Sequence, residues 1–230
     1  DALPEPLRSL LRGNFDAART PNPYQTIPTD WLRQAVQRWR DTPHPRTQQT
    51  AQGVDVARGG RDQTVIAERY GRWVAELKKY PGVSTPDGQS VAELVLSAMI
   101  GMPTVNIDVI GIGSSAYDHA AAIARAVPVN FGEGTSYTDK SGKLKFGNVR
   151  AAAYWRMREL LDPANELGVC LPDDPELIAD LSAPRWELRH GGRVYIESKE
   201  DIIDRLDRSP DCGDAVVLAF WGEDALPIGV

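Results

Sequence analysis

The residue pattern predicts an α/β fold built on one mixed sheet, in which a three-stranded antiparallel meander is continued by parallel strands and flanked by helices. Three observations carry this expectation. Residues 52–80 hold three short runs rich in β-branched and aromatic residues, and the turns between them, at Gly59-Gly60 and Gly71, are too short for anything but antiparallel connections. The run Thr104-Val105-Asn106-Ile107-Asp108-Val109-Ile110 is nearly all apolar, as in a strand covered on both faces. From about residue 85 onward, segments of helical period alternate with such strands.

Taken in order, residues 1–50 read as an appendage. They are rich in Pro, Thr, Asn and Gln, with one amphipathic stretch at 29–40 and Thr29 as its N-cap, and the chain opens on Asp1, as a piece of a longer protein would. Residues 41–52, with Pro43 and Pro45, read as a linker. Strands are expected at 52–57, 63–69 and 72–80. A helix follows at 85–101, with Val91, Leu94, Val95 and Ala98 on one stripe, then the strand at 104–110. Gly111-Ile112-Gly113-Ser114-Ser115 opens a helix over 116–125, and a strand returns at 127–131. After a long polar loop at 132–147 come a helix at 148–161, strands at 186–188 and 193–197, and a last helix from Pro210 to about residue 221. The expected division is an appendage at 1–50, one domain at 51–222 and a tail at 223–230.

Composition narrows the chemistry. With 230 residues, 42% of them apolar, the chain can bury one sizeable core. It carries no apolar run of membrane-spanning length and opens on no signal peptide, so the expectation is a soluble, intracellular, non-secreted protein. Cys170 and Cys212 form no CxxC pair, and His44, His119 and His190 are scattered, so zinc and a structural disulfide are not implied. A net charge of −6 argues against a surface that is nucleic-acid glue throughout. The charge is nevertheless partitioned. Residues 139–158 set Lys140, Lys143, Lys145, Arg150, Arg156 and Arg158 against one acid, Asp139, whereas 159–187 set eight acids against Arg185. Either block alone also fits the solvated face of a helix.

Two carboxylates stand out because strand interiors disfavour Asp and a buried carboxylate is costly unless paired or metal-bound. Asp55 sits among Val54, Val56 and Ala57, and Asp108 interrupts Val105, Ile107, Val109 and Ile110. Each alone also fits an edge position facing water. If the two strands are neighbours, both acids point into the crevice at the strand ends, where open α/β sheets bind ligands. Two close carboxylates repel, and a divalent cation is their natural partner. A third element is Ser209-Pro210-Asp211-Cys212-Gly213-Asp214, where Asp211 and Asp214 share a face at the start of a helix. Acids there also suit the helix dipole. Three carboxylates from two strands and a helix suit a two-metal phosphodiester site, and oxygen-only ligands select Mg²⁺ or Mn²⁺. Asp62 reads mainly as a turn residue and Asp118 as a solvated helical position, although both are close enough in sequence to approach such a site. Tyr154 and Trp155 read as core packing.

These segments resemble the C-terminal nuclease domain of tailed-phage large terminase subunits, of the ribonuclease H-like superfamily. The likeness rests on Gly53-Val54-Asp55-Val56-Ala57-Arg58-Gly59-Gly60-Arg61-Asp62, on Asn106-Ile107-Asp108-Val109-Ile110-Gly111-Ile112-Gly113-Ser114, and on Ser209-Pro210-Asp211-Cys212-Gly213-Asp214-Ala215. The stretches 140–150, 154–158 and 197–202 fit between them, and Leu11-Arg12-Gly13-Asn14-Phe15 with Ile27-Pro28-Thr29 resembles the end of that family's ATPase half, so the likeness covers nearly the whole chain. It implies a metal-dependent endonuclease that cuts concatemeric double-stranded DNA during genome packaging in the infected host's cytoplasm, beside a portal and a small terminase subunit. It also implies Asp55, Asp108 and either Asp211 or Asp214 as metal ligands, with Asp211 slightly favoured. Lys199 matches a lysine near the site, there to meet a phosphate or balance the acids. Arg58, Lys140, Lys143, Lys145, Arg150, Arg156 and Arg158 are the candidates for DNA-backbone contacts, and the loop at 132–147 is expected to fold over DNA. The family's GxxxxGK[ST] loop is absent, so this chain is not expected to hydrolyse ATP.

Three other readings compete. A Holliday-junction resolvase or another ribonuclease H-like nuclease would share the acids. A nucleotide-binding module would use Gly111-Ile112-Gly113-Ser114-Ser115 as a phosphate cradle. A non-catalytic docking module would have no need of the acids. The isolated domain is expected to be monomeric.

Overall fold

The structure, a computed structural model, describes residues 22–45, 47–57, 62–189 and 191–222. Arg58, the Gly59-Gly60 turn, His190, residues 11–15 and the 223–230 tail lie outside them. The element order is α1 (Thr29–Asp41), β1 (Ala51–Asp55), β2 (Gln63–Tyr70), β3 (Trp73–Val74), β4 (Lys78–Pro81), α2 (Gly88–Ser97), β5 (Thr104–Asp108), α3 (Gly113–Ala121), β6 (Arg125–Val129), β7 (Lys145–Phe146), α4 (Val149–Leu161), α5 (Pro175–Ser182), β8 (Trp186–Arg189), β9 (Arg193–Ile196), α6 (Lys199–Leu206) and α7 (Asp211–Ala219).

The main sheet runs β3-β2-β1-β5-β6, with β4 also on β2. β1 pairs antiparallel with β2 and parallel with β5, and β5 pairs parallel with β6, which is the mixed sheet expected. The third meander strand is broken in two. The four steps from Val74 to Lys78 lie opposite three from Arg69 to Ile66, so one surplus residue bulges and splits the ladder. A smaller sheet, β7-β9-β8, grows from the end of the polar loop. That loop is more ordered than its composition suggests. Asp139, almost buried, accepts hydrogen bonds from the backbone N–H groups of Lys143 and Leu144 and from the Ser141 hydroxyl, which ties the tip into a turn.

Helices cover both faces of the main sheet. On one face α2 and α3 bury Val91, Val95, Ala116 and Ala120 against Val54, Ile66, Val105 and Ile107. On the other, α4, α5 and α7 and the small sheet enclose the larger core. Ile27, Leu32 and Ala35 belong to that core, and Arg38 Nε donates to the Val169 carbonyl at 2.9 Å. Residues 27–38 are therefore built into the domain, and the composition change at 50 does not mark a packing boundary. Thr29 is not the cap of α1. Pro28 holds that place with no side-chain bond, and the Thr29 hydroxyl accepts from Gln25 Nε2 instead.

Two helices went unread in the sequence although their caps are plain. Asp174 accepts from the N–H groups of Glu176 and Leu177 ahead of Pro175, and Ser198 accepts from the N–H of Asp201. The second cap starts α6 on Lys199, a residue central to the site.

Helix α7 lies against the middle of β1 because Gly53 has no side chain. A Cβ there would sit 2.0 Å from the Ala215 carbonyl oxygen and 2.3 Å from the Ala219 nitrogen, both backbone atoms. This close approach brings the N-terminus of α7 to the end of β1.

Candidate active site

Asp55 and Asp108 are the last residues of β1 and β5, neighbouring parallel strands in the register Val54↔Ile107, so both carboxylates emerge together at the strand ends. Asp211 is the first residue of α7, one turn before Asp214. All four are buried or nearly so, at 3%, 8%, 7% and 1% exposure for Asp55, Asp108, Asp211 and Asp214. One cleft is lined by Asp55, Asp62, Asp108, Lys199, Glu200 and Asp211. Asp214 does not line it and lies beneath.

Lys199 stands among the acids. Its ammonium is 3.5 Å from Asp55 Oδ2, 3.6 Å from Asp211 Oδ1 and 3.2 Å from Asp214 Oδ2. Burial works against the charged form, yet the three carboxylates outweigh it and hold the ammonium above the ordinary lysine range. The acids themselves diverge. Burial, reinforced by the charges of Asp214, Asp211 and Asp108, pushes Asp55 well above the usual carboxylate range although Lys199 pulls the other way. Asp214 is equally buried, but Arg150, Lys199 and a hydrogen bond from Tyr154 overcome the burial and hold it below that range. Asp214 is thus compensated as an anion, whereas the surroundings of Asp55 disfavour its ionised form in the absence of a further cation.

Backbone groups aim the other two acids. The Gln63 N–H donates to Asp211 Oδ2 at 3.0 Å, and the Ile110 N–H donates to Asp108 Oδ1 at 3.1 Å. The acids around the cleft offer only oxygen atoms as ligands, which fits a hard divalent cation. Among the described residues no three His, Cys, Asp or Glu side chains close to the spacing of a coordination shell. Asp55, Asp211 and Asp214 are instead held around the lysine.

The basic residues divide differently from expectation. Lys140, Lys143 and Lys145 are exposed. Arg150, Arg156 and Arg158 are not free for DNA, because α4 is enclosed on nearly all sides and its arginines serve the interior. Arg150 turns to Asp214. Arg156 donates to the Phe220 carbonyl and the Tyr137 hydroxyl at 3.2 and 3.0 Å. Arg158 lies over the rings of Trp31 and Trp155, 4.9 and 5.4 Å from their centroids, and donates to the Thr26 carbonyl. Asp62 does reach the cleft, whereas Asp118 is exposed on α3 and does not line it. Trp155 and Tyr154 are core residues as read, but the Tyr154 hydroxyl also bonds Asp214, a role its packing position concealed. Gly113 is required by packing: a Cβ there would strike the Asp108 carbonyl oxygen at 1.8 Å.

The fold is a ribonuclease H-like mixed sheet, and in it two neighbouring parallel strands end in carboxylates while a helix brings two more. Solved structures that share this fold include nuclease domains of phage large terminase subunits. The nuclease domain from bacterial virus Sf6 is 16% identical, covering 86% of this chain and 99% of that one, with a TM-score of 0.67. A lysine-to-alanine variant of the Sf6 protein with calcium gives 15% identity over 86% and 100% of the two chains, with a TM-score of 0.68. The large terminase nuclease of a thermophilic phage, with bound magnesium, is 18% identical over 77% and 82%, with a TM-score of 0.50. No family model matches the chain and no curated protein matches its sequence. At these identities the likeness establishes the fold, and the site's chemistry rests on its own geometry.

Proposed function

We propose that the chain is a metal-dependent endonuclease domain that cuts double-stranded DNA during phage genome packaging, in the host cytoplasm and beside a portal and a small terminase subunit. The observation that carries this reading is that Asp55, Asp108 and Asp211, from two strands and a helix, line one cleft, with the Lys199 ammonium beside Asp55 and Asp211. The related folds solved with magnesium or manganese support it for those proteins. In this reading Asp55, Asp108 and Asp211 hold Mg²⁺ or Mn²⁺, and Asp214 braces Lys199 from below. Asp211 is preferred to Asp214 as ligand because it lines the cleft, which Asp214 does not, while Asp214 is held by Tyr154 and Arg150 as well as by Lys199. When bound, such ions supply charge neutralisation and polarisation of the scissile phosphodiester. The chain's own residues set the geometry: two strand ends and the Gln63 N–H fix the carboxylates, and Lys199 keeps them gathered, its ammonium suited to a phosphate.

The test is digestion of supercoiled plasmid by the purified domain. Cleavage with Mg²⁺ or Mn²⁺, none with EDTA, and a smear without a preferred site are expected, since no base-reading element is evident. Equal cleavage in EDTA, or none from a folded domain with either metal, contradicts the reading.

The DNA track we propose replaces the three internal arginines with two on the small sheet. Lys145 on β7 lies opposite Arg193 on β9, and Arg193 opposite Arg189 on β8, so three exposed cations form a row in register. Like charges directly opposite across strands are unfavourable until an anion answers them, and Glu187, 2.6 Å from Arg189 Nε, answers only one. With Lys140 and Lys143 nearby in sequence, the row suits a phosphate backbone. Arg189→Glu with Arg193→Glu is expected to weaken duplex binding in EDTA and to lower the slope of log affinity against log salt by about 2, roughly one for each phosphate left without its cation. Fluorescence anisotropy across a salt series measures this, and an unchanged slope removes the row from the track.

A further inference from the structure

The partners of Asp214 are arranged in a way that reaches beyond neutralising it. Its Oδ1 accepts from the Tyr154 hydroxyl at 2.7 Å and from Arg150 Nη2 at 3.2 Å, and its Oδ2 faces Lys199 at 3.2 Å. Tyr154 and Arg150 are one turn apart on α4, with the guanidinium 5.1 Å from the Tyr154 ring centroid, so each fixes the other's rotamer. Arg150 Nη1 also lies 3.4 Å from the carbonyl of Glu197, two residues before Lys199. A single buried arginine thus grips the carboxylate under the cleft and the backbone that launches Lys199 into it. Between them, Arg150 and Tyr154 join α4, α7 and the start of α6, the elements that set where Lys199 and Asp214 stand.

We propose that Arg150 and Tyr154 are positioning residues of this active site, acting through Asp214 and Lys199 and touching no DNA. The inference rests on the nuclease reading above. Without the bracket, Asp214 loses its tie to α4, and the nearest relief for its charge is to turn further towards Lys199. The lysine is then drawn from Asp55 and Asp211, and the cleft acids lose the common centre that spaces them for metal. Partners that orient ligands in this way are worth about 10- to 100-fold in metal affinity or activity.

Tyr154→Phe is the direct variant, since it keeps the ring and removes only the hydroxyl. Titration of the metal-free domain with Mn²⁺, read as free Mn²⁺ by electron paramagnetic resonance, is expected to show affinity weakened about 10-fold. On duplex DNA, kcat is expected to fall by about 10-fold with KM little changed, since the variant leaves the exposed cations proposed for the DNA track, Lys140, Lys143, Lys145, Arg189 and Arg193, in place. A purely structural role would lower the thermal midpoint while leaving Mn²⁺ affinity and turnover per folded molecule as in wild type, and that outcome overturns the proposal. Arg150→Lys, which keeps the charge but cannot reach both Asp214 and the Glu197 carbonyl, makes the same comparison should Tyr154→Phe fold poorly, and wild-type values there overturn the proposal equally. Asp55→Asn separates the two layers. If it abolishes Mn²⁺ uptake and cleavage while both α4 variants match wild type, only the positioning role falls. A wild-type domain that neither takes up Mn²⁺ nor cuts DNA overturns the nuclease reading and this inference with it.

Discussion

Asp55→Asn and Asp108→Asn are each expected to lower Mg²⁺-dependent cleavage by about 1,000-fold, equivalent to roughly 4 kcal/mol of barrier at 1.36 kcal/mol per tenfold, without unfolding the domain. The two side chains end neighbouring strands and face one cleft. Replacing either carboxylate with an amide keeps its size and removes the charge that a divalent ion needs. Stability follows the opposite logic. In the metal-free protein, burial and three like-charged neighbours already work against an ionised Asp55, so relieving the crowd costs little. The expected pattern is lost turnover with a thermal midpoint, measured in EDTA, no lower than that of wild type. Turnover within tenfold of wild type in a folded variant would remove these residues from catalysis.

Gly53→Ala gives the largest expected loss of stability, about 3 kcal/mol, at the upper end of ordinary overpacking. The added methyl would lie 2.0 Å and 2.3 Å from backbone atoms of α7, which cannot swing away as a flexible side chain would. Either β1 or α7 has to move, and Asp211 moves with α7. In a domain of this size the thermal midpoint falls by about 10 °C, and cleavage per folded molecule falls as well. Calorimetry on the variant, with digestion below its transition, checks both. A midpoint within about 2 °C of wild type, where roughly 2–4 °C is expected per kcal/mol, would mean that the helix does not rest on this strand as described.

Much of the sheet and two of the site acids were legible in the sequence. Asp55 and Asp108 declared themselves because a carboxylate inside an apolar strand needs a reason, and the structure brings them to adjacent strand ends. The glycines that let helices approach could not be read, since their demand comes from partners far along the chain, such as Ala215 for Gly53. The arginines of α4 were misjudged for a related reason. Charge is visible in a sequence but facing is not, and a helix enclosed almost all round gives Arg150, Arg156 and Arg158 interior acceptors instead of solvent. Lys199 was identified through resemblance alone. Ser198 and Asp201, a capping pair directly beside it, are the local sequence signal for its helix. Residues 1–50 are polar in composition, yet Ile27, Leu32 and Ala35 join the core of the domain.

The account stands most directly on where a divalent ion settles. Crystals of the domain soaked in Mn²⁺, with anomalous data collected at the manganese edge, are expected to show density between Asp55, Asp108 and Asp211, with Lys199 displaced from their centre. Ordered manganese elsewhere on the surface, with the lysine still among the acids and no anomalous peak in the cleft, would contradict it.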